Sequence, residues 1–287
     1  MPTTTTDLFR SLRPRHWVKN VFVLAPLVFS GEVRYSETVG VALIAAAAFC
    51  LASSAVYLIN DVIDREADRA HPTKRHRPVA AGRISTTVAL ISAAALAGVA
   101  LLVAAAVTAA LAAIIAAYLV MSVAYSVWLK RVVIIDVMVI ATGFVLRVLA
   151  GAEAISVEPS IWLLICMGFL ALMLGFGKRR GEARLLQEGS ASHRAVLEHY
   201  SPMFADSMVL LTAGLSLAAY AAYSATGRPA ENHMALTLPF VIYGVFRYLW
   251  LVCHEQRGES PTDIAWSDVP IILAVAGLIG NFLGGWF

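Results

Sequence analysis

The fold class follows from residues 39–68, which read VGVALIAAAAFCLASSAVYLINDVIDREAD. Val39 to Ile59 carries no charge. At about 1.5 Å per residue, one helix of this length matches the ~30 Å hydrocarbon core of a bilayer. The run then turns abruptly acidic, with Asp61, Asp64, Glu66 and Asp68 within eight residues. An apolar span that opens onto a carboxylate cluster is the mark of an integral membrane protein with polar chemistry at one face. The whole chain agrees: 59% of its 287 residues are hydrophobic, only 14% are charged, and the mean hydropathy is +0.74. Soluble domains carry about 25% charge, so a water-soluble enzyme, a disordered chain and a small disulfide scaffold are excluded. Cys50, Cys166 and Cys253 lie in apolar stretches without metal-ligand spacing and read as small buried hydrophobes.

Working outward, Ile84 to Leu129 is uncharged over 46 residues. That is roughly twice the ~30 Å core, so it predicts two helices with a tight turn near Val107 to Ala110. Pro159 to Gly177, Ser207 to Gly227 and Val269 to Phe287 are further uncharged runs. Val132 to Ala154 reads as a span carrying Asp136 and Arg147, and Ala235 to Cys253 as one carrying Arg247. His16 to Ser30 is the least regular, interrupted by Lys19 and Pro26. The expectation is nine spans, with an interfacial helix at Asp7 to Leu12 and no cleavable leader. Lys and Arg crowd the N-terminus and the 2–3, 4–5, 6–7 and 8–9 connections, leaving Arg34 and Arg228 on the other side. The positive-inside rule then puts the N-terminus in the cytoplasm and the C-terminus outside. We expect one integral-membrane domain, 1–287, of two helical bundles at about 1–130 and 131–287.

If the second span stays helical through its end, Asn60, Asp64 and Asp68 share a face with Asp61 beside Asp64. Carboxylates so crowded repel and raise one another's pKa. A hard dication relieves this, and Mg²⁺ takes one or two carboxylates together with phosphate oxygens. The plainer alternative is a solvated acidic helix end paired with Arg65 and Arg69, but acids at a helix C-terminus oppose the macrodipole. The basic segment Lys74 to Gly82, with Arg75 and Arg77, would then be a phosphate clamp. By itself it could equally be a topological anchor.

These residues resemble a known family. Asn60-Asp61-x-x-Asp64-x-x-x-Asp68, followed by Arg75-x-Arg77-Pro78 and Gly82, is similar to the first signature of the UbiA superfamily of intramembrane prenyltransferases. So are the opening Arg13-Pro14-x-x-Trp17-x-Lys19-Asn20 and Tyr125-Ser126-x-x-Leu129-Lys130-Arg131 ahead of Asp136. The resemblance implies an all-α fold of nine transmembrane helices around an intramembrane cavity open to the cytoplasm. It also implies Mg²⁺ on Asp61, Asp64 and Asp68, with Asn60 orienting them.

One motif departs from that pattern. The superfamily's second aspartate-rich motif, after the sixth span, here reads Gly175-Phe176-Gly177-Lys178-Arg179-Arg180-Gly181-Glu182. A basic loop facing a metal-bound diphosphate suits a donor with a second anionic group, although it too could be an anchor. The pattern resembles the branch that transfers 5-phosphoribosyl from phosphoribosyl diphosphate to decaprenyl phosphate or another polyprenyl phosphate, for cell-wall arabinan precursors in a bacterial plasma membrane. That resemblance implies donor binding by Arg75, Arg77, Lys178, Arg179, Arg180 and Glu182, and acceptor binding by Lys19, Tyr125, Lys130 and Arg147. An aromatic prenyltransferase with a prenyl diphosphate donor is the alternative, and a gated transporter the one from another class. Arg147 could instead snorkel toward Glu153. Gly280 and Gly284 have the spacing of a helix-packing motif for a homo-oligomer, a spacing common in membrane helices. No nucleic-acid partner is expected.

Overall fold

The computed structural model describes residues 5–187, 195–226, 233–255, 258 and 260–286. Arg194, Arg228 and Arg257, which entered the charge alternation, lie outside them. The described residues form helices and connecting turns. They are α1 (Thr5–Ser11), a 3₁₀ segment (Pro14–Leu24), α2 (Ala25–Phe29), α3 (Ser36–Ile63), α4 (Arg65–Ala70), α5 (Thr86–Val107), α6 (Ala109–Val127), α7 (Ile135–Ala154), α8 (Ile161–Gln187), α9 (Pro202–Thr226), α10 (His233–Cys253), α11 (Pro261–Ser267) and α12 (Val269–Trp286).

Seven of these, α3 and α5 to α10, are long and apolar enough to cross a membrane, and α11 with α12 makes an eighth only as a pair bent by 79°. The chain is therefore a multi-pass membrane protein, but nine long helices are not found among the described residues. The first expected span is a 3₁₀ segment and a five-residue helix. Pro14 and Pro26 each start one of these pieces, and proline has no N–H to bond the preceding turn. The bend before α12 also has a local cause: the Asp268 carboxylate accepts the Ile271 N–H at 3.1 Å, starting a new helix.

The tight turn between the third and fourth expected spans is one residue, Thr108, whose hydroxyl accepts the Leu111 N–H at 2.9 Å and caps α6. Ser85 caps α5 in the same way. α3 packs on α5 and α6 through small side chains, Ala45, Ala48, Ala52, Ala100 and Ala104, all buried. In lipid no hydrophobic force gathers helices, so close approach of small residues does that work. α8, α9, α10 and α12 form the other large set of contacts, with α7 touching both α6 and α8. Cys166 is buried as expected, whereas Cys253 is exposed at the end of α10.

The segment 14–24 runs between α3 and α7. A Cβ added at Gly151 of α7 would lie 1.8 Å from the Val23 carbonyl oxygen, so this passage exists only because residue 151 has no side chain. Gly151→Ala is expected to force the segment off α7. Overpacking costs about 1–3 kcal/mol, and both thermal midpoint and turnover should fall. Gly280→Ala is the control: a Cβ there, as at Gly284, meets nothing within 4 Å. A Gly151→Ala protein as stable as the Gly280→Ala protein would refute this packing.

Candidate active site

The acidic stretch does not continue as one helix. α3 ends at Ile63, Asp64 takes φ −88° and ψ 4°, and α4 restarts at Arg65. The helix is interrupted there, although the Asp64 N–H still bonds the Asn60 carbonyl at 2.9 Å and the Asp68 N–H the Asp64 carbonyl at 2.8 Å. Asp61 and Asp68 converge on one nitrogen of Arg77, at 3.3 and 2.6 Å. Asp61 also accepts from Arg13. Asp64 turns to Lys130, 2.5 Å away, and Asn60 sits half-buried one residue before Asp61. Asp61 and Asp68 are almost wholly buried, so each carboxylate needs the cation it has.

The basic segment is fixed to this motif. Arg69 donates to the Ala80 carbonyl at 3.0 Å, while Val79 and Ile84 pack on Ala55 and Leu58 of α3. Gly82 turns the chain at φ +73°, a conformation that favours glycine. Arg77 is thus aimed at the carboxylates, whereas Arg75 is exposed and meets His76.

The second motif is a helix, not a loop, since α8 runs on to Gln187. Arg179 is 1% exposed and all three of its nitrogens are engaged. They donate to Asp136 at 2.6 Å, to Tyr125 Oη at 3.1 Å and to Glu182. Tyr200 donates to the other oxygen of Asp136 at 2.7 Å. Burial, then this bond to the carboxylate, holds the Tyr200 phenol above its ordinary pKa range and keeps it a donor. The same hydroxyl accepts the Ile134 N–H at 3.0 Å, where a γ-turn puts a β-branched residue at φ +69°. Lys178 lies on the open side of α8, 3.7 Å from Glu182. Arg180 stands apart, bonded to Asp206 and to the Val252 carbonyl.

Gly175 and Gly177 of this motif are packing residues. Their missing side chains make room for Val137 and for Tyr248.

The structure thus brings Asp61, Asp68 and Arg77 together, Asp64 with Lys130, and Tyr125 with Arg179 and Glu182. It does not bring Arg75 or Arg180 to them. Arg147 is buried and cannot snorkel. It donates to Asn20 at 2.8 Å, the Gly143 carbonyl at 2.7 Å and Tyr118 Oη at 3.1 Å, while Glu153 accepts from Thr108. Arg247 pairs with Asp268 at 2.9 Å. Asp136, Tyr200 and Arg13 were not singled out as site residues. Asp136 carried one usable signal, an acid within an apolar run.

Among the described residues no group of three metal-ligating side chains stands ready by itself. The two carboxylates that meet at Arg77 are nonetheless hard oxygen donors already gathered around a cation. They fit Mg²⁺, which needs only one or two carboxylates when water and phosphate oxygens complete its shell.

The model of the UbiA prenyltransferase family matches residues 21–266. The chain belongs to this family. It is 35% identical to a decaprenyl-phosphate phosphoribosyltransferase of Mycolicibacterium smegmatis, covering 96% of this chain and 91% of that one. With the enzyme of the same description from Mycobacterium tuberculosis it is 38% identical, covering 93% and 90%. Among solved structures it is similar in fold to a UbiA homolog from Archaeoglobus fulgidus bound to DMAPP and Mg²⁺. That match has a TM-score of 0.78 at 20% identity and covers 98% of this chain and 99% of the other.

Proposed function

We propose that this UbiA-family protein transfers the 5-phosphoribosyl group of 5-phosphoribosyl 1-diphosphate to a polyprenyl phosphate, releasing diphosphate, to make a precursor for cell-wall arabinan. The reading is carried by the second motif: cations stand there, with Glu182 alone of the acids, in a chain more than a third identical to named phosphoribosyltransferases over nearly its full length. A donor that is anionic at both ends suits one acidic and one basic motif.

Asp61 and Asp68, with Asp64 beside them, would hold Mg²⁺, which when bound neutralises the charge that develops on the leaving diphosphate. Arg77 and Arg13, both already at Asp61, turn to the diphosphate oxygens. Asn60 orients the carboxylates. Arg179 is a positioning residue in this scheme: its bonds set Tyr125 and Glu182 at the wall of the site. The nucleophile is a lipid phosphate oxygen, anionic at neutral pH, so no strong base is needed. Positioning and charge stabilisation supply the rate. The charge asymmetry of the termini and connections supports a site that opens to the cytoplasm.

The test is incubation of purified protein with radiolabelled phosphoribosyl diphosphate and polyprenyl phosphate. Label should enter the organic phase, disappear with a chelator and return with excess Mg²⁺. Transfer only from a prenyl diphosphate to an aromatic acid would overturn the reading in favour of an aromatic prenyltransferase.

A further inference from the structure

The connection between α6 and α7 touches both motifs. Near its start Lys130, 7% exposed, reaches Asp64 of the acidic motif at 2.5 Å. Just past its end Asp136, 0% exposed, accepts from Arg179 of the basic motif at 2.6 Å. One short connection therefore grips a different motif at each end. Between the two grips the backbone doubles back at Ile134, which takes φ +69° and ψ −49°, and the Ile135 N–H bonds the Val133 carbonyl at 2.8 Å. A γ-turn of this hand is rare and strained, and for a β-branched residue the positive φ is a genuine outlier. Such a backbone persists only where its surroundings over-determine it.

Tyr200 supplies that surrounding. Its hydroxyl accepts the Ile134 N–H at 3.0 Å and donates to Asp136 at 2.7 Å, so one oxygen ties the turn to the first acid of α7. The ring is 2% exposed. It lies edge-on to Phe176 of the basic motif, 6.4 Å between centroids, and 6.0 Å from Phe204 of α9. Val196 and Leu197, just before it, are buried in the same core as Val137 and Phe176. Tyr200 is thus a fixed post for a strained turn. Neutralising Asp136 does not require it, because the Arg179 guanidinium already pairs with that carboxylate. The contact that Arg179 does not make is the one to the Ile134 N–H.

We infer that Tyr200 is a positioning residue: its hydroxyl holds the strained turn at Ile134 and thereby keeps the acidic and basic motifs at one fixed separation. It acts through the backbone and touches no substrate. Without the hydroxyl, Ile134 relaxes toward negative φ, and the Lys130–Asp64 and Asp136–Arg179 pairs are no longer set by one rigid turn. The consequence is selective. A ligand held at the acidic motif alone does not sense the separation, whereas one that reaches from Asp61 to Tyr125 and Glu182 beside Arg179 does. The inference rests on the proposed phosphoribosyl transfer, whose donor is anionic at both ends.

The test is a double-mutant cycle on the purified full-length protein. Tyr200→Phe removes the hydroxyl and keeps the ring, and Ile134→Gly removes the penalty on a positive φ. Binding is read by titration calorimetry with Mg²⁺ present, without turnover. Tyr200→Phe should bind phosphoribosyl diphosphate about tenfold more weakly or worse, and inorganic diphosphate within about twofold of wild type. Ile134→Gly alone should leave both within about twofold. Added to Tyr200→Phe, it should recover most of the loss, which neither a folding defect nor a direct contact between the hydroxyl and the donor would allow. No loss, equal loss of both ligands, or a loss that glycine does not recover would overturn the inference. Wild-type protein that does not bind phosphoribosyl diphosphate would overturn the functional reading instead. The cycle is then decided on the thermal midpoint: Ile134→Gly must raise Tyr200→Phe more than it raises wild type, and an equal effect in both backgrounds overturns the positioning role.

Discussion

Asp61→Asn is expected to lower turnover by about a hundredfold or more, ~2.7 kcal/mol of barrier, while the protein remains folded. Asp61 is the carboxylate on which the site converges. It is almost wholly buried and meets both Arg13 and Arg77. An amide of the same shape keeps the packing but removes the charge. Arg13 then loses the carboxylate it pairs with, Arg77 keeps Asp68, and one hard oxygen ligand is weakened. The loss should persist at saturating donor and be partly relieved by high Mg²⁺. Glu66→Gln is the internal control, since Glu66 lies in the same acidic run but its side chain is 76% exposed and pairs with Arg65 and Arg69. An Asp61→Asn enzyme with near-normal turnover at limiting Mg²⁺ would remove the metal–diphosphate assignment. So would equal losses in both variants, because bulk charge rather than position would then be at work.

The second large effect separates neighbouring residues. Arg179→Ala strips Asp136, 0% exposed, of its guanidinium and leaves Tyr125 and Glu182 without their anchor. Breaking a buried pair by removing one partner costs about 3–5 kcal/mol, so the variant should show a collapsed thermal midpoint and poor yield. The double variant Asp136→Leu with Arg179→Met should recover much of that stability, because neither charge is then orphaned, but should not recover activity. Lys178→Ala, on the open side of α8, should fold normally and lose tenfold or more in affinity for the donor. If Arg179→Ala were stable and lost only donor affinity, Arg179 would be the phosphate grip and not the strut. Thermal melts beside titrations of both substrates on each purified variant give the answer.

Arg147 shows how far a sequence can carry an intramembrane charge. Its position in an apolar run marked it as important, and the structure agrees that it is buried. Which groups it serves could not be read from spacing, because Asn20, Gly143 and Tyr118 come from three separate parts of the chain. The acidic motif teaches the same lesson in reverse. Helical periodicity put residues 60, 64 and 68 on one face. The helix is interrupted at Asp64, which pairs with Lys130, while Asp61 and Asp68, seven residues apart and so on one side of a helix in any case, meet at Arg77. Nothing local forbids the continuous helix. Arg77 and Lys130, which pair with these carboxylates, come from other parts of the chain.

The sequence by itself determined the class, a multi-pass helical membrane protein, because the bilayer demands long uncharged runs and leaves that demand visible residue by residue. It also determined the family, since the acidic motif, the basic segment and the opening motif are contiguous strings. Tertiary structure alone decided that the first passage is a 3₁₀ segment admitted by Gly151, that Arg179 is locked to Asp136, and that Arg147 is held by Asn20, Gly143 and Tyr118. The reason is physical. Span formation depends on the transfer of each segment into lipid, a property of that segment. The pairing of buried charges and the room for a backbone beside a glycine depend on distances between segments, which a one-dimensional pattern does not contain.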